Sequence, residues 1–143
     1  MRTIVNDETK QAAHAVTATP VVPVSWGELF DKITILEIKV ERLENPRALA
    51  NVEKELGLLR QFTDAVEHED LEDLVTDLKA VNVDLWQIED DIRELEREKI
   101  FDEDFIALAR AVYRENDRRA ALKRRINTAL GSELTEEKSY KAY

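Results

Sequence analysis

The hydrophobic residues of this chain recur at helical spacing along most of its length. From Leu71 to Leu95, leucine, isoleucine and valine alternate steps of three and four positions, the repeat of an amphipathic helix with a coiled-coil seam. Less regular patterns predict three further helices. The four helices cover about residues 26–44, 46–67, 70–100 and 104–130. Because their connections are short, we expect an all-α fold, an antiparallel bundle of four main helices.

Local signals support these helix boundaries. Ser25 precedes Glu28 by three positions, which is the capping box of a helix N-terminus. A proline follows Asn45 at the first position of the second helix, and Gly131 has the position of a C-terminal cap. Gly57 lies inside the second helix, where glycine is unfavourable. We therefore expect Gly57 to allow a neighbouring helix or side chain to approach closely.

The residues outside the helices indicate how the chain is divided into an N-terminal arm, a domain and a short tail. Residues 1–24 lack periodicity and end in an extended segment with two prolines, which predicts a flexible arm, extended or disordered. Residues 25–143 are then expected to form a single helical-bundle domain. A short tail follows the last helix, and its Tyr140 and Tyr143 are able to dock on the bundle.

Composition agrees with long helices and excludes several classes of protein. Hydrophobic residues make up 43% of the 143 residues and charged residues 36%, with too few glycines and prolines for a β-sandwich. The lack of cysteine excludes disulfides and cysteine-based zinc sites. The net charge of −10 argues against a nucleic-acid partner. Because the sequence has neither an apolar run of roughly 20 residues for a membrane span nor a signal peptide, we expect a cytoplasmic protein.

Charge is distributed unevenly between the last two helices. Residues 64–104 hold 17 acidic and four basic residues, whereas residues 105–130 hold seven basic and two acidic residues. The simplest interpretation is that opposite charges favour a hairpin of the third and fourth helices. The alternative is a basic helix that binds anions.

Polar residues interrupt the hydrophobic stripes of the third and fourth helices at the same level along the predicted hairpin. A hairpin that turns near residue 102 places Glu89 level with Asn116 and Asn82 level with Lys123. Lys32 and Lys39 project together from the first helix, and since buried lysines need acidic partners, Asp31, Glu37 and Glu89 are the candidates. We expect Glu89 to be the central carboxylate. The candidate residues of this polar cluster are Lys32, Lys39, Asn82, Trp86, Glu89, Arg93, Tyr113, Asn116, Arg119, Lys123 and Asn127.

Two interpretations of the polar cluster remain open. It is either a partly solvated network of ion pairs that fixes the helix register, or a pocket for a small anionic molecule between the helices. Trp86 and Tyr113 are suited to core packing or to stacking against a ligand ring. Mutual pairing of the cluster favours the network, and an open cavity favours the pocket.

Motifs of catalysis are missing from the sequence. His14 and His68 have no partner at metal-ligand spacing, and the chain has no phosphate-binding glycine loop, dinucleotide fingerprint or nucleophile elbow. We expect no metal site and no cofactor. Whether the protein is an enzyme stays uncertain, and these patterns favour a non-enzymatic role.

Several strings of the sequence resemble a short bacterial protein family known only as a domain of unknown function. They are GELFDKITILEIKVERL (27–43), LWQIEDDIRELE (85–96), FIALARAVYRENDRRAALKRRIN (105–127) and GSELTEEKSY (131–140). Members of that family stand alone or are joined to glycosyltransferase or tetratricopeptide-repeat regions. The resemblance implies a bacterial cytoplasmic setting and a link to surface-polysaccharide assembly, and it carries over no catalytic residues.

Two functions follow from these observations. The first is a self-associating helical accessory domain in glycan synthesis, with a glycosyltransferase or a related protein as partner. The first helix is apolar on most sides, which leaves Ile35 and Ile38 for a second subunit of a homo-oligomer. The alternative is a small-ligand-binding protein, or an enzyme, that takes a phosphorylated or nucleotide-sugar metabolite at the polar cluster.

Overall fold

The computed structural model describes residues 18–143. Four helices and no β-strand are present in this part of the chain, which confirms the predicted all-α class. They are α1 (Trp26–Arg42), α2 (Pro46–Arg60), α3 (Leu71–Arg97) and α4 (Glu103–Leu130). None of these helices is long and apolar enough to cross a membrane.

The predicted caps are present. The Ser25 hydroxyl accepts a hydrogen bond from the backbone N–H of Glu28 at 3.2 Å, and the Asn45 side chain caps α2. Gly131 ends α4 in the left-handed conformation, with φ of 63°. The second helix is shorter than predicted and ends at Arg60. There the backbone turns more tightly, and the carbonyl of Arg60 accepts a hydrogen bond from the Thr63 hydroxyl at 3.3 Å.

The four helices do not surround one common core, because α1 lies between two separate apolar clusters. On one side, Ile33 and Leu36 pack against Leu56 of α2. On the other side, Phe30 packs against leucines of α3 and against Ile126 of α4. Among the described helices, α2 contacts α1 and neither α3 nor α4. The bundle therefore consists of α1, α3 and α4, and α2 forms an outer layer on α1.

This arrangement explains why the first helix is apolar on most sides. Ile38 is only 1% exposed, so it is buried within the chain. Ile35 is half-buried and lies beside α3 and α4. The expectation that this pair faces a second subunit is thus wrong for Ile38, because the chain itself covers both sides of α1.

The hairpin of α3 and α4 is longer than the core that it shares with α1. Every buried residue of α3 lies between Leu71 and Asn82, and every buried residue of α4 lies between Ala120 and Asn127. No residue from 83 to 119 is buried. We call residues 88–112 the distal hairpin.

Close approach of helices occurs at Gly27, and the expectation for Gly57 is wrong. A Cβ atom at position 27 would lie 2.5 Å from the backbone oxygen of Lys123 on α4. A Cβ atom at position 57 would meet nothing within 4 Å. Glycine is therefore required by packing at the start of α1, whereas in α2 it faces open space.

The segments outside the helices are only partly described. Residues 1–17 of the predicted arm lie outside the described residues. Residues 18–24 contain no helix, and Val21 and Val22 are exposed. The division into an arm over 1–24 and one domain over 25–143 stays a prediction.

Candidate functional site

A strip of small and polar residues runs along the face of α1 that meets α3 and α4. Gly27, Asp31 and Thr34 follow one another at steps of four and three, so they share that face. The Asp31 Oδ1 atom accepts a hydrogen bond from Asn82 Nδ2 at 2.8 Å. The same amide donates to the Thr34 hydroxyl at 2.9 Å, and this hydroxyl donates to the backbone oxygen of Asp31 at 2.8 Å. The side chains of Asp31, Thr34 and Asn82 are all buried.

Lys123 of α4 completes this arrangement. Its Nζ atom lies 2.7 Å from Glu28 Oε2, 3.1 Å from Glu136 Oε2 and 3.7 Å from Asp31 Oδ2, and its side chain is 9% exposed. Burial alone would lower the pKa of Lys123, but the hydrogen bonds to Glu28 and Glu136 and the charge of Asp31 raise it above its usual value. The Lys123 contact in turn lowers the pKa of the Glu136 carboxyl.

We call this set the buried polar network; its members are Glu28, Asp31, Thr34, Asn82, Lys123 and Glu136. Every buried side-chain nitrogen and oxygen in the described residues has a hydrogen-bond partner. This part of the site is therefore closed by mutual pairing, which is the first of the two interpretations of the polar cluster. Its position ties α1, α3, α4 and the tail together.

Glu89 does not belong to this network. Its side chain is 51% exposed and pairs with Arg93 one turn further along α3, at 3.0 Å. The central carboxylate is Asp31 instead. The expectation placed Glu89 level with Asn116 and within reach of Lys123, whereas the acids within 4 Å of Lys123 come from α1 and from the tail.

Three other predicted residues have local roles or lie elsewhere. The side-chain oxygen of Asn127 accepts a hydrogen bond from the backbone N–H of Gly27 at 2.6 Å and so fixes the start of α1 against α4. Lys32 points towards α2, where it pairs with Glu55 at 3.3 Å. Lys39 lies two turns further along the same side of α1.

An open groove lies next to the network, between α3 and α4 and beside α1. It has a volume of about 530 Å³. We call it the α3–α4 groove. It brings together six of the predicted residues: Asn82, Trp86, Glu89, Arg93, Asn116 and Arg119. Ile35, Leu85, Asp90 and Val112 complete its walls.

Arg119 is the cation of this groove that forms no salt bridge within the described residues, although its charge contributes to lowering the pKa of the nearby Glu136 carboxyl. Its side chain is half-buried, and within residues 18–143 no carboxylate oxygen lies within 4 Å of its guanidinium. One turn along the same helix, Lys123 has three carboxylates within that distance. Asn116 precedes Arg119 by three positions, is also half-buried and makes no side-chain hydrogen bond within the described residues. The second interpretation, an open cavity with free polar groups, fits this part of the site.

Trp86 forms an aromatic wall of the groove. Its indole is half-buried, and the guanidinium carbon of Arg42 lies 5.8 Å from the ring centroid. This cation–π contact connects the end of α1 with α3.

A second cavity, of about 730 Å³, lies between α4 and the C-terminal tail. We call it the tail cavity. The tail, residues 132–143, is not helical, and two contacts of Tyr143 hold its end. The Tyr143 hydroxyl donates to Asp117 Oδ2 at 2.8 Å, which raises the pKa of this tyrosine, and its ring packs against Tyr113 with centroids 4.8 Å apart. Tyr143 therefore docks on the bundle, while Tyr140 is largely exposed.

The expected pairing of charges between α3 and α4 is not found. In the described residues no salt bridge joins the two helices, and the ion pairs of the distal hairpin lie along α3 and the turn that follows it. Long basic side chains reach their own helix neighbours at three or four positions more easily. In residues 18–143, no three His, Asp or Glu side chains are close enough together to hold a metal ion.

The groove, the tail cavity and the network all lie within a region that matches a protein family. The family is described as "Family of unknown function (DUF6165)", and it matches residues 21–143. The chain belongs to this family. Membership in a family of unknown function, which the sequence strings indicated, is thereby confirmed. No curated protein and no solved structure matches the chain.

Thr34 and Glu136 of the buried polar network were missed from the sequence, and Asp31 was expected only as a possible partner of Lys32 and Lys39. Asp31 and Thr34 stand among isoleucines, and only their spacing with Gly27 indicates a polar strip on one face of α1. No sequence pattern predicted the contribution of Glu136, because its contact with Lys123 depends on the path of a non-helical tail.

Proposed function

We propose that the protein binds a small anionic molecule, such as a phosphorylated metabolite, in the α3–α4 groove. The observation that carries the proposal is the half-buried Arg119, which forms no salt bridge with the described residues although the chain has 31 acidic residues. An arginine in such a chain has many carboxylates available. A guanidinium that pairs with none of them in the described residues is available to an anion from solution.

The chemistry of this part of the groove suits a phosphate or carboxylate group. The planar guanidinium presents parallel N–H donors that match two oxygens of such a group. Asn116 lies on the same face of α4, three positions away, and its amide supplies further donors. Because both side chains are half-buried, their hydrogen bonds to an anion are screened less than bonds at an open surface.

We propose binding without catalysis. Among the acids of the groove, Glu89 is the best candidate for a general base, but its carboxylate forms an ion pair with Arg93 at 3.0 Å. A general base must be free to take a proton within hydrogen-bond distance of its substrate. The ion pair of Glu89 therefore supports a receptor or accessory role for the groove.

Thermal denaturation with candidate anions tests this proposal. The unfolding temperature is measured with inorganic phosphate, pyrophosphate, sugar phosphates and nucleotides, for the natural chain, Arg119→Gln and Arg118→Gln. Arg118 is the matched control, because it is exposed, adjacent and paired with Glu115. A ligand at 100 times its Kd stabilises the folded chain by about 2.7 kcal/mol. We expect this shift in the natural chain and in Arg118→Gln, and its loss in Arg119→Gln.

Two results would contradict the proposal. In the first, none of the anions raises the unfolding temperature of the natural chain. In the second, both arginine variants lose the shift equally, which would show an effect of net charge and no site at Arg119.

A second function, self-association, is favoured by the distal hairpin. Its facing side chains are at most half-buried, and at its tip Phe101 and Ile106 are 57% and 56% exposed. Arg110 and Arg114 of α4 have no carboxylate within 4 Å in the described residues, and α3 is rich in acids at this height. We propose a second copy of this chain as the occupant, since antiparallel pairing of two hairpins sets the arginines of one copy against the acids of the other.

The oligomeric state in solution tests self-association. We expect sedimentation to show a dimer that Phe101→Glu combined with Ile106→Glu converts to a monomer of unchanged helicity. Phe62→Glu is the control, because Phe62 is 58% exposed but lies after α2. A natural chain that is monomeric at tens of micromolar, or a control that dissociates equally, would overturn it.

On the resemblance of the sequence strings alone, we further propose that the protein acts in the bacterial cytoplasm. There it would be an accessory to a glycosyltransferase or a related protein of surface-polysaccharide synthesis. Sugar phosphates and nucleotide sugars would then raise the unfolding temperature more than inorganic phosphate does. Equal shifts with all phosphates would speak against this setting.

A further inference from the structure

The two cavities differ in charge. The walls of the tail cavity contain four cationic side chains, Arg119, Arg124, Lys138 and Lys141, and one acidic side chain, Asp117. Lys138 lies 4.0 Å from Glu136, whereas Arg124 and Lys141 have no carboxylate within 4 Å in the described chain. An excess of cations in a concave site attracts anions and raises their local concentration.

Away from Arg119, the α3–α4 groove has two carboxylates and one cation, Arg93, which pairs with Glu89. Trp86 offers an aromatic surface, and the other apolar walls are Ile35, Leu85 and Val112. Asp90 adds a carboxylate that accepts hydrogen bonds from N–H or hydroxyl groups but repels a phosphate. This end of the groove suits an uncharged ring with polar edges.

The two cavities meet at three shared residues, Val112, Asn116 and Arg119. The groove of about 530 Å³ and the tail cavity of about 730 Å³ are each within the range of small-molecule sites. A molecule bound at Arg119 therefore lies at the border of the two cavities. The junction between the neutral part and the charged part of such a molecule would lie at Arg119.

The tail is held by contacts that place its lysines opposite α4. Glu136 forms an ion pair with Lys123 of the buried polar network at 3.1 Å. Tyr143 donates a hydrogen bond to Asp117 and packs its ring against Tyr113. Lys138 and Lys141 lie between these two attachments. The tail therefore forms a cationic wall of the site.

From this division, and resting on the proposed binding of anions at Arg119, we infer that the ligand is a nucleoside diphosphate or triphosphate that both cavities share. Its ring lies against Trp86 in the groove, and its phosphates extend past Arg119 into the tail cavity, where Lys138 and Lys141 contact them. Flat rings stack on indole, and multiple phosphates require several cations, so this class of molecule uses both halves of the site.

Calorimetric titration of the full chain tests the inference with four probes: ADP, UDP, adenosine and pyrophosphate. The tail variant is Lys138→Gln with Lys141→Gln, and its control is Lys54→Gln with Lys99→Gln, two exposed lysines far from both cavities. Trp86→Leu tests the ring contact. Melting followed by circular dichroism shows that each variant is folded, and Trp86→Phe replaces Trp86→Leu if the latter is not.

We expect at least one nucleoside diphosphate to bind more tightly than pyrophosphate and much more tightly than adenosine. The tail variant should weaken nucleotide and pyrophosphate binding about tenfold or more, since each lost charge-assisted hydrogen bond is worth about that factor. The lysine control should leave both affinities unchanged. Replacement of Trp86 should weaken nucleotide binding and spare pyrophosphate.

The outcomes separate this inference from the proposed function. If phosphates bind and require Arg119 but are indifferent to the tail lysines, or if Trp86 does not affect nucleotide binding, the nucleotide inference is wrong and anion binding at Arg119 stands. If neither ADP, UDP nor pyrophosphate binds the natural chain, both are overturned.

Discussion

Asn82 of α3 donates hydrogen bonds to Asp31 and to Thr34, 2.8 and 2.9 Å away on α1, inside the bundle. Asp31 also faces Lys123 of α4 at 3.7 Å, so one carboxylate contacts both of the other bundle helices. Buried polar groups of this kind fix how helices are positioned along each other, because any shift leaves a polar group without a partner.

This relationship predicts that Asp31 matters more for stability than Glu89. Asp31→Ala removes one of the two acceptors of the buried Asn82 amide and one of the three carboxylates near Lys123, and we expect a loss of about 2 kcal/mol or more in the free energy of unfolding. Asp31→Asn keeps an acceptor and should cost less. Glu89→Ala removes only an exposed pair within one helix, worth about 0.5 kcal/mol at most. Urea denaturation measures all three, and equal losses for Asp31→Ala and Glu89→Ala would contradict the expectation.

The two helical glycines provide a second prediction. At Gly27 an added Cβ atom would lie 2.5 Å from backbone of α4, so Gly27→Ala should destabilise the protein by about 1–3 kcal/mol. At Gly57 it would enter open space, so Gly57→Ala should stabilise the protein by about 0.5–1 kcal/mol through its better helix propensity. The signs of the two changes in urea denaturation are opposite. A stabilising Gly27→Ala would show that α1 does not approach α4 so closely, and a destabilising Gly57→Ala would show that position 57 does not face open space.

The contact between Glu136 and Lys123 predicts that attachment of the tail depends on pH. The folded chain lowers the pKa of Glu136 below its usual 4.5, so the stabilisation is complete above that pH and is lost as the pH falls through the lowered value. The pKa of Lys123 is raised above 10.5, so its contribution is present below that pH and is lost only as the pH rises through the raised value. Tail attachment should therefore be constant between about pH 5 and pH 10.

Order parameters from nuclear magnetic resonance measure this attachment at the backbone amides of residues 136–143. We expect them to fall in acid, and to be low already at neutral pH in Glu136→Gln. Glu137→Gln, which changes the same charge next to it, is the control and should resemble the natural chain. A tail that is equally ordered in all of these conditions would contradict the role of the contact.

The outer position of α2 predicts local unfolding. Because α2 packs against α1 and against neither α3 nor α4, it can detach without disrupting the core around Phe30 and Ile126. We expect hydrogen exchange of the α2 amides to report a lower free energy of opening than exchange of α3 between Leu74 and Asn82. Equal values would mean that all four helices unfold as one cooperative unit.

The helices themselves were predictable because their signals are local. The spacing of leucines in α3, the hydroxyl of Ser25 and the left-handed Gly131 act through neighbours a few residues away. The prediction that Asn82, Trp86, Asn116 and Arg119 share one height of the hairpin needed only the helical rise and the place of the turn, and the structure brings them together in the groove.

What only the tertiary structure decided is which helix lies against which. The sequence shows that the first helix has several apolar faces, but it does not show that α2 packs on one of them. From the sequence alone, a second copy of the chain could bury that face equally well. Nor could it distinguish Asp31 from Glu89 as the partner of Lys123, because 31 acids compete and the choice depends on distances between residues far apart in the chain. Pairing across about 90 positions is set by packing of whole helices, and no local pattern records it.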